Sequence, residues 1–421
     1  MRHEQADVIV VGGGPAGIAA VCRLVPAGKR VIWIDQAAKP GGQIWRAGLP
    51  KPWDQALAAL EGANGLQRLP GHTVIAGERS GAGTIRLLLN DTLNPEAEAR
   101  RVEAPQLLLA LGSRERFLPF PGWTLPGVHG AGGLQALIKN GWPVARKRLV
   151  FAGSGPLLLA AADTARAAGA QVILVAEQAP RTALARFALG LSAAKLAQAA
   201  GLAWRLRGVP YRSGGWVTQA LGTAQLEAVR LNDGSQVECD ELGVGYGLLS
   251  NTDLAAALGC SIGGHGSIEV DALQRTSIAG IYAAGECTGI GGVDKALLEG
   301  DRAALAVIGH NSENLQSRHD KAIGFAARLQ ASFALRPEML QLADVKTLVC
   351  RCEDVTLGAI KAQCSWRDAK LQTRCGMGAC QGRICKPIVR ELLGWEDKGT
   401  PREPLQPAPL RHFIQIRPNE P

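Results

Sequence analysis

Two groups of residues in this 421-residue chain have types and spacings that support chemistry. The first is Gly12-Gly-Gly-Pro-Ala-Gly17, where Gly12, Gly14 and Gly17 make a Gly-x-Gly-x-x-Gly pattern directly after the apolar run Val8 to Val11. Asp35 closes the next apolar run, and this context of strand, turn, helix, strand and acid is what dinucleotide binding requires. Gly12 permits the tight turn, Gly14 lets the backbone approach a pyrophosphate, and Gly17 lets the following helix pack closely on its strand. Pro15 at the helix start leaves N–H groups and a positive dipole end for the phosphates, and Asp35 accepts hydrogen bonds from a ribose. The pattern recurs at Gly153-Ser-Gly-Pro156 with Glu177 ending the next strand, but Leu158 stands in the third glycine position. A leucine there is expected to hold helix and strand apart. The second turn therefore leaves a bound dinucleotide, with Glu177 at its ribose, and a purely structural domain as equal alternatives.

The second group is cysteine. Of ten cysteines, Cys22, Cys239, Cys260 and Cys287 are dispersed, and the other six fall between Cys350 and Cys385. Cys350-Arg-Cys352 and Cys380-Gln-Gly-Arg-Ile-Cys385 offer paired thiolates from two segments, as a tetrathiolate zinc or iron–sulfur site needs. Gly376, Gly378 and Gly382 suit a loop whose N–H groups face sulfides, and Arg351, Arg374, Arg383 and Lys386 offset the negative charge of such a centre. Cys364 and Cys375 are extra. Cys375 precedes Cys380 by the interval that separates Cys380 from Cys385, so spacing alone keeps it as an alternative ligand. No Cys-x-x-Cys occurs, which excludes a dithiol relay of the thioredoxin-reductase type.

These residues must be positioned by regular elements, and the hydrophobic pattern supplies them. Residues 7–35 and 148–177 each read as strand, glycine turn, helix, strand, which predicts an α/β chain with two nucleotide-type domains. A further strand, 278–284, ends in Gly285-Glu286 and precedes a helix over about 293–308; residues 311–343 read as helical with Pro337 as a breaker. The tail carries prolines 401, 404, 407, 409, 418 and 421, and is expected to be no core element but a disordered end or an arm laid on a neighbour. With 47% hydrophobic and 20% charged residues and no apolar run near 18, an integral membrane protein is excluded. The net charge of +9 raises nucleic acid as a partner, but the basic residues are scattered, and seven Phe and three Tyr give little material for base stacking. The amino terminus enters its first strand without a signal-like segment, which points to the cytoplasm and to reduced cysteines.

Taken together, Val11-Gly-Gly-Gly-Pro-Ala-Gly17, Gly41-Gly-Gln-Ile44, Leu108-Leu-Ala-Leu-Gly-Ser-Arg114, Pro119-Phe-Pro-Gly-Trp123, Leu125-Pro-Gly-Val128 and Ile281-Tyr-Ala-Ala-Gly-Glu286 resemble the two-dinucleotide-binding flavoproteins. With Cys350-Arg-Cys-Glu353 and Thr373-Arg-Cys-Gly-Met-Gly-Ala-Cys-Gln-Gly-Arg-Ile-Cys385, the chain is similar to one subgroup: the FAD and iron–sulfur subunits of heteromeric amino-acid dehydrogenases of the opine oxidase, hydrogen cyanide synthase and D-hydroxyproline dehydrogenase type. The resemblance implies a glutathione-reductase-like fold: an FAD domain over 1–120 and 241–310, a second NAD(P)-type domain over 121–240, a helical linker 311–345, a small helical [2Fe–2S] domain 346–396 resembling bacterioferritin-associated ferredoxin, and a proline-rich arm 397–421. It places FAD at Gly12, Gly14, Pro15, Ala16, Gly17, Asp35, Gln36, Gly42, Gln43, Ala110, Gly112, Gly285 and Glu286. The helix after Gly292 then turns its positive end toward the isoalloxazine. The implied cluster ligands are Cys350, Cys352, Cys380 and Cys385. It also implies an oxidoreductase subunit that takes electrons from a D-amino-acid-oxidase-like FAD subunit, with an interfacial FMN as an optional relay and, for a further partner, a small ferredoxin-like subunit. Two other readings fit the same residues, a self-sufficient NADH-dependent ferredoxin-type reductase and a scaffold whose cofactors only stabilise a complex.

Overall fold

Short runs of aliphatic residues become strands of parallel sheets covered on both faces, which is why they read as continuous rather than alternating. In the computed structural model, which describes residues 2–395 and 399–414, Val8–Val11 and Val31–Ile34 are buried throughout. The described residues form two compact units, one within Met1–Arg114, Leu249–Ala326 and Gly399–Pro421, the other within Glu115–Leu248 and Ala327–Lys398.

The first unit is built on a five-stranded parallel sheet in the order Ile281–Ala283, Gln106–Leu109, Val8–Val11, Val31–Asp35, Leu66–Pro70. The helix Pro15–Leu24 follows the central strand through the glycine turn, with Gly14 as its N-cap and Pro15 at the first turn. It packs against Val293–Val307, and Gly300 makes that approach possible: a Cβ there would stand 2.1 Å from the Ala16 carbonyl oxygen. A four-stranded sheet lies in the same unit, with Arg2–Gln5 parallel to Arg100–Ala104, then Ile85–Asp91 and His72–Arg79 antiparallel.

The proline-rich tail is corrected by the structure. Leu405 is only 7% exposed and belongs to the same hydrophobic core as Val74, Ile85 and Leu87. Its N–H donates to the Ile75 carbonyl at 2.8 Å, and the Gly77 N–H donates to Glu403 Oε1 at 2.8 Å. Ala408 and Phe413 pack on Ile75 and Leu88. The segment thus covers its own sheet, because prolines forbid a regular ladder without preventing side-chain burial. Pro418 and Pro421 lie outside the described residues.

The second unit repeats the plan: a parallel sheet in the order Val128–Gly130, Glu241–Gly245, Arg148–Gly153, Gln171–Glu177, Tyr211–Ser213, and a three-stranded antiparallel sheet of Val217–Leu221, Ala228–Leu231 and Gln236–Glu238. The two α/β sheets expected from the sequence are therefore present. The cysteine segment adds the hairpin strands Leu348–Cys350 and Val355–Thr356 to helices Leu357–Lys361, Trp366–Thr373 and Cys385–Leu393. It shares one core with the rest of this unit: Trp123 is 2% exposed, donates Nε1–H to the Leu348 carbonyl at 2.6 Å, and lies under the Arg351 guanidinium. Among the described residues no helix is long and apolar enough to cross a membrane.

Candidate functional site

The three motif glycines do different things. Gly12 has φ +115°, and a Cβ on it would stand 2.1 Å from the Ala110 carbonyl oxygen; a Cβ on Gly17 would stand 1.9 Å from the Gly12 carbonyl oxygen. Both are required by the fold itself. Gly14 is different, since a Cβ there would meet nothing within 4 Å among the described residues. The space in front of Gly14, at the N-cap of Pro15–Leu24, is the cradle a phosphate group needs. Ala16 is buried behind it.

Gly42, Asp35 and Ala110 lie against this turn. Gly42 has φ +58°, a Cβ on it would stand 2.9 Å from the Gly14 Cα, and the Gly41 N–H donates to the Gly13 carbonyl at 2.7 Å. Gln36 and Gln43 are exposed, and Gln43 Oε1 accepts from Arg46 at 2.9 Å. Ala110 donates its N–H to Val11 at 2.8 Å, and Gly112, with φ +66°, accepts from the Asn251 N–H at 3.1 Å. Asp35 accepts from the Ala37 N–H through Oδ1 at 3.0 Å, while Oδ2 is buried and has no hydrogen-bond partner among the described residues. Burial holds the Asp35 carboxyl above its usual range, against the pull of the Ala37, Gly13 and Gln36 amides. A buried acceptor of this kind fits a hydroxyl donor such as a ribose. Sequence reasoning missed Gly13, on which a Cβ would stand 1.7 Å from Asp35 Oδ2. The signal was the middle glycine of three in a row.

Glu286 is engaged by its own chain. Its Oε1 accepts from the Gly292 N–H at 2.7 Å and the Gly291 N–H at 3.2 Å, and Oε2 from Ser113 Oγ at 3.2 Å. The carboxylate therefore caps the amino end of Val293–Val307. Beside it lies a buried network that the sequence reading did not single out. Lys295 Nζ, on a side chain 4% exposed, donates to the Gly285 carbonyl at 3.0 Å, Thr288 Oγ1 at 2.9 Å and Glu299 Oε2 at 2.8 Å. Glu299 also accepts from the Gly285 N–H at 2.8 Å and meets His319 Nε2 at 3.3 Å. Despite burial, His319 and Lys295 hold the Glu299 carboxyl below its usual value. The clue was a Lys and a Glu four residues apart on an apolar helix.

The cysteines converge from two segments. Cys350, Cys375 and Cys385 are buried, with Sγ atoms all within 4.8 Å of one another. Cys352 and Cys380 hydrogen-bond to each other, and Cys352 feels the charge of Cys350 as well. A hydrogen bond to Cys375, together with burial, pushes the Cys385 thiol far up. Cys380 is half-buried, and although that burial raises its thiol, the Ile384, Gly382 and Arg383 amides and the Cys352 thiol hold it below its usual value. Gly378 is obligatory here, since a Cβ would stand 2.3 Å from the Cys352 Cβ. All four expected ligands are in this patch, and Cys375 joins them at its buried centre; Cys364 is exposed. Five thiols of this kind are compatible with an iron–sulfur centre.

In the second unit, Gly153 and Gly155 have φ +136° and +97°, and the Gly155 N–H donates to Glu177 Oε2 at 2.7 Å while the Ala179 N–H donates to Oε1 at 2.9 Å. Leu158 is 1% exposed, in space that Gly245 leaves for it: a Cβ on Gly245 would stand 3.3 Å from Leu158 Cδ2.

Comparison with known proteins places this geometry. The family described as pyridine nucleotide-disulphide oxidoreductase matches residues 6–304. The chain belongs to the pyridine nucleotide-disulphide oxidoreductase family. It is an oxidoreductase, and its family domain supports FAD or a similar dinucleotide. Two relatives extend the likeness beyond that domain. The HcnB component of hydrogen cyanide synthase from Pseudomonas aeruginosa is 32% identical, covering 97% of this chain and 98% of its own. An opine oxidase subunit of Rhizobium meliloti strain 1021 is 34% identical with the same coverage, 97% and 98%. Among solved structures, L-proline dehydrogenase from P. horikoshii shares the fold at a TM-score of 0.69 and 18% identity, over 98% of this chain and 80% of that one. Although the family name contains a disulphide, no disulfide bond joins cysteines among the described residues.

Proposed function

We propose that the chain is the electron-transfer flavoprotein and iron–sulfur subunit of a heteromeric amino-acid dehydrogenase, of opine, hydroxyproline or glycine type. One observation carries the reading: the same chain holds an open glycine cradle for a dinucleotide and a buried convergence of cysteines. Full-length relatives named as subunits of hydrogen cyanide synthase and opine oxidase support it. Bound FAD would take up electrons in pairs and a [2Fe–2S] cluster would pass them singly. In this reading Gly14 and Pro15 face the pyrophosphate, Asp35 Oδ2 receives the adenosine ribose, and Gly42, Gln43, Ala110, Gly112, Gly285 and Glu286 lie along the cofactor, with Gln36 at the adenine end. Cys350, Cys352, Cys380 and Cys385 hold the cluster.

Substrate oxidation belongs to a partner resembling D-amino-acid oxidases, because a substrate carboxylate is usually gripped by an Arg fork and the arginines around this site are engaged. Arg114 donates to the Ser250 carbonyl at 3.3 Å and to Asn251 at 3.0 Å, and Arg302 donates to Gln316 at 2.9 Å and to the Ala272 carbonyl. An interfacial FMN, a small ferredoxin-like subunit and a cytoplasmic location complete the reading. The test is dye reduction with candidate amino and imino acids by the single chain and by the chain co-purified with its partner. Activity is expected only in the complex. Comparable rates from the single chain would return the substrate site to this sequence.

A further inference from the structure

A pyridine-nucleotide family implies a second dinucleotide at the second glycine turn, and the residues there do not fit one. In open parallel sheets ligands sit beyond the carboxyl ends of the strands, against the glycine turn and the helix that follows it. Gly153 and Glu177 end two neighbouring central strands of the second unit, so the place for a nucleotide is defined by them. That place is taken by the chain itself. Ser154 Oγ donates to the Phe333 carbonyl at 2.9 Å, and Gln178 Nε2 donates to the Ala334 carbonyl at 2.9 Å and to Ser154 Oγ at 3.0 Å. The Arg336 N–H donates back to Gln178 Oε1 at 3.1 Å. A Cβ on Gly155 would stand 4.0 Å from the Phe333 ring. Ser154 and Gln178 are 6% and 0% exposed.

The strap is anchored beyond the turn as well. Leu335 packs into the core of its unit, the Phe333 ring meets Phe187 edge-on at 5.1 Å, and the Arg336 guanidinium lies 5.1 Å over Trp216. The Gly155 N–H, which a pyrophosphate would need, is held by the Glu177 carboxylate at 2.7 Å. An incoming phosphate would have to displace the Glu177 carboxyl from that N–H. The first turn presents the opposite case, with open space before Gly14 and an unpartnered Asp35 oxygen.

We propose that residues 333–336 are an internal ligand that closes the second nucleotide site, so that this oxidoreductase takes no electrons from NADH. Binding that requires the strap to leave is weakened by the fraction of time it is away. The test is calorimetric titration of the full chain, held in excess FAD, with NADH and separately with ADP. The native chain is expected to show no saturable binding up to about 1 mM and no bleaching of its flavin by NADH. Ser154→Ala/Gln178→Ala, which frees both carbonyls of the strap, is expected to strengthen binding of one of these probes at least about tenfold. Should that double variant fail to fold, Phe333→Gly, which loosens the strap and leaves the turn intact, is read the same way. Low-micromolar NADH or ADP binding by the native chain overturns the proposal. So does a folded strap variant, with native flavin content, that binds neither probe better than the native chain does.

Discussion

At the residue scale, glycines that look equivalent in the motif separate into structural and functional ones. Gly12→Ala adds a Cβ at a left-handed φ against a backbone oxygen and is expected to cost roughly 3 kcal/mol or more, read by urea denaturation. Gly14→Val adds its side chain to open space, so stability is expected to stay within about 1 kcal/mol while flavin absorbance is lost. A variant that keeps its flavin would remove Gly14 from the cofactor site. The cysteines need the same separation. On the proposed ligand set, Cys375→Ser retains iron and acid-labile sulfide, and Cys350→Ser, Cys352→Ser, Cys380→Ser and Cys385→Ser each lose them. Retention in Cys385→Ser with loss in Cys375→Ser would exchange the two. Glu177 gives a pH prediction. Burial raises its carboxyl from 4.5 to about 7, so between those values the native chain holds a proton that the unfolded chain has released. Stability then falls as pH rises through that window, by on the order of 3 kcal/mol. Unfolding free energies of native and Glu177→Gln chains at pH 5 and pH 8 should show the native chain losing ground to the variant by about that amount. Equal pH slopes would contradict it.

At the scale of elements, the helices Pro15–Leu24 and Val293–Val307 depend on a single missing side chain. Gly300 lies against the Ala16 backbone, and the Ala16 carbonyl cannot move without disturbing the glycine turn. Gly300→Ala is expected to destabilise the first unit by about 1–3 kcal/mol through overpacking, although alanine has the higher helix propensity. A neutral or stabilising result in thermal denaturation would mean that the helices separate freely. A glycine inside a helical pattern is visible in the sequence, but its reason is not. The same holds for Lys295 and Glu299, whose spacing is legible while their burial against Gly285 and Thr288 is not. Leu158 makes the converse point. Read alone it opens the gap between helix and strand, and only the sheet reveals that Gly245 makes room for it.

For the whole molecule, the tail is part of the first unit's fold rather than a free docking arm. Leu405→Ala is expected to cost about 2 kcal/mol, and removal of residues 399–421 more than that, measured on the single chain without any partner. An unchanged melting temperature after truncation would restore the reading of the tail as an assembly arm. Shared packing also ties the cysteine segment to the second nucleotide-type domain, through Trp123, Cys350, Trp366 and Ile388 in one core. The cysteine loops therefore rest on a rigid sheet, which suits a site whose thiols come from two segments.

The sequence by itself determined the two α/β sheets, the first glycine turn with Asp35, and the grouping of cysteines, because each is written in local periodicity and short fixed spacings. Tertiary structure alone decided which thiols meet, since Cys375 reaches the buried centre through a loop whose course depends on Gly376, Gly378 and Trp366. It alone decided the fate of the proline-rich tail, whose composition forbids a ladder but is silent on burial. It also decided the second glycine turn, where Ser154 and Gln178 meet the Phe333 and Ala334 carbonyls from more than 150 residues away along the chain. Contacts between segments so far apart follow from how the chain returns on itself, and no local pattern records that path.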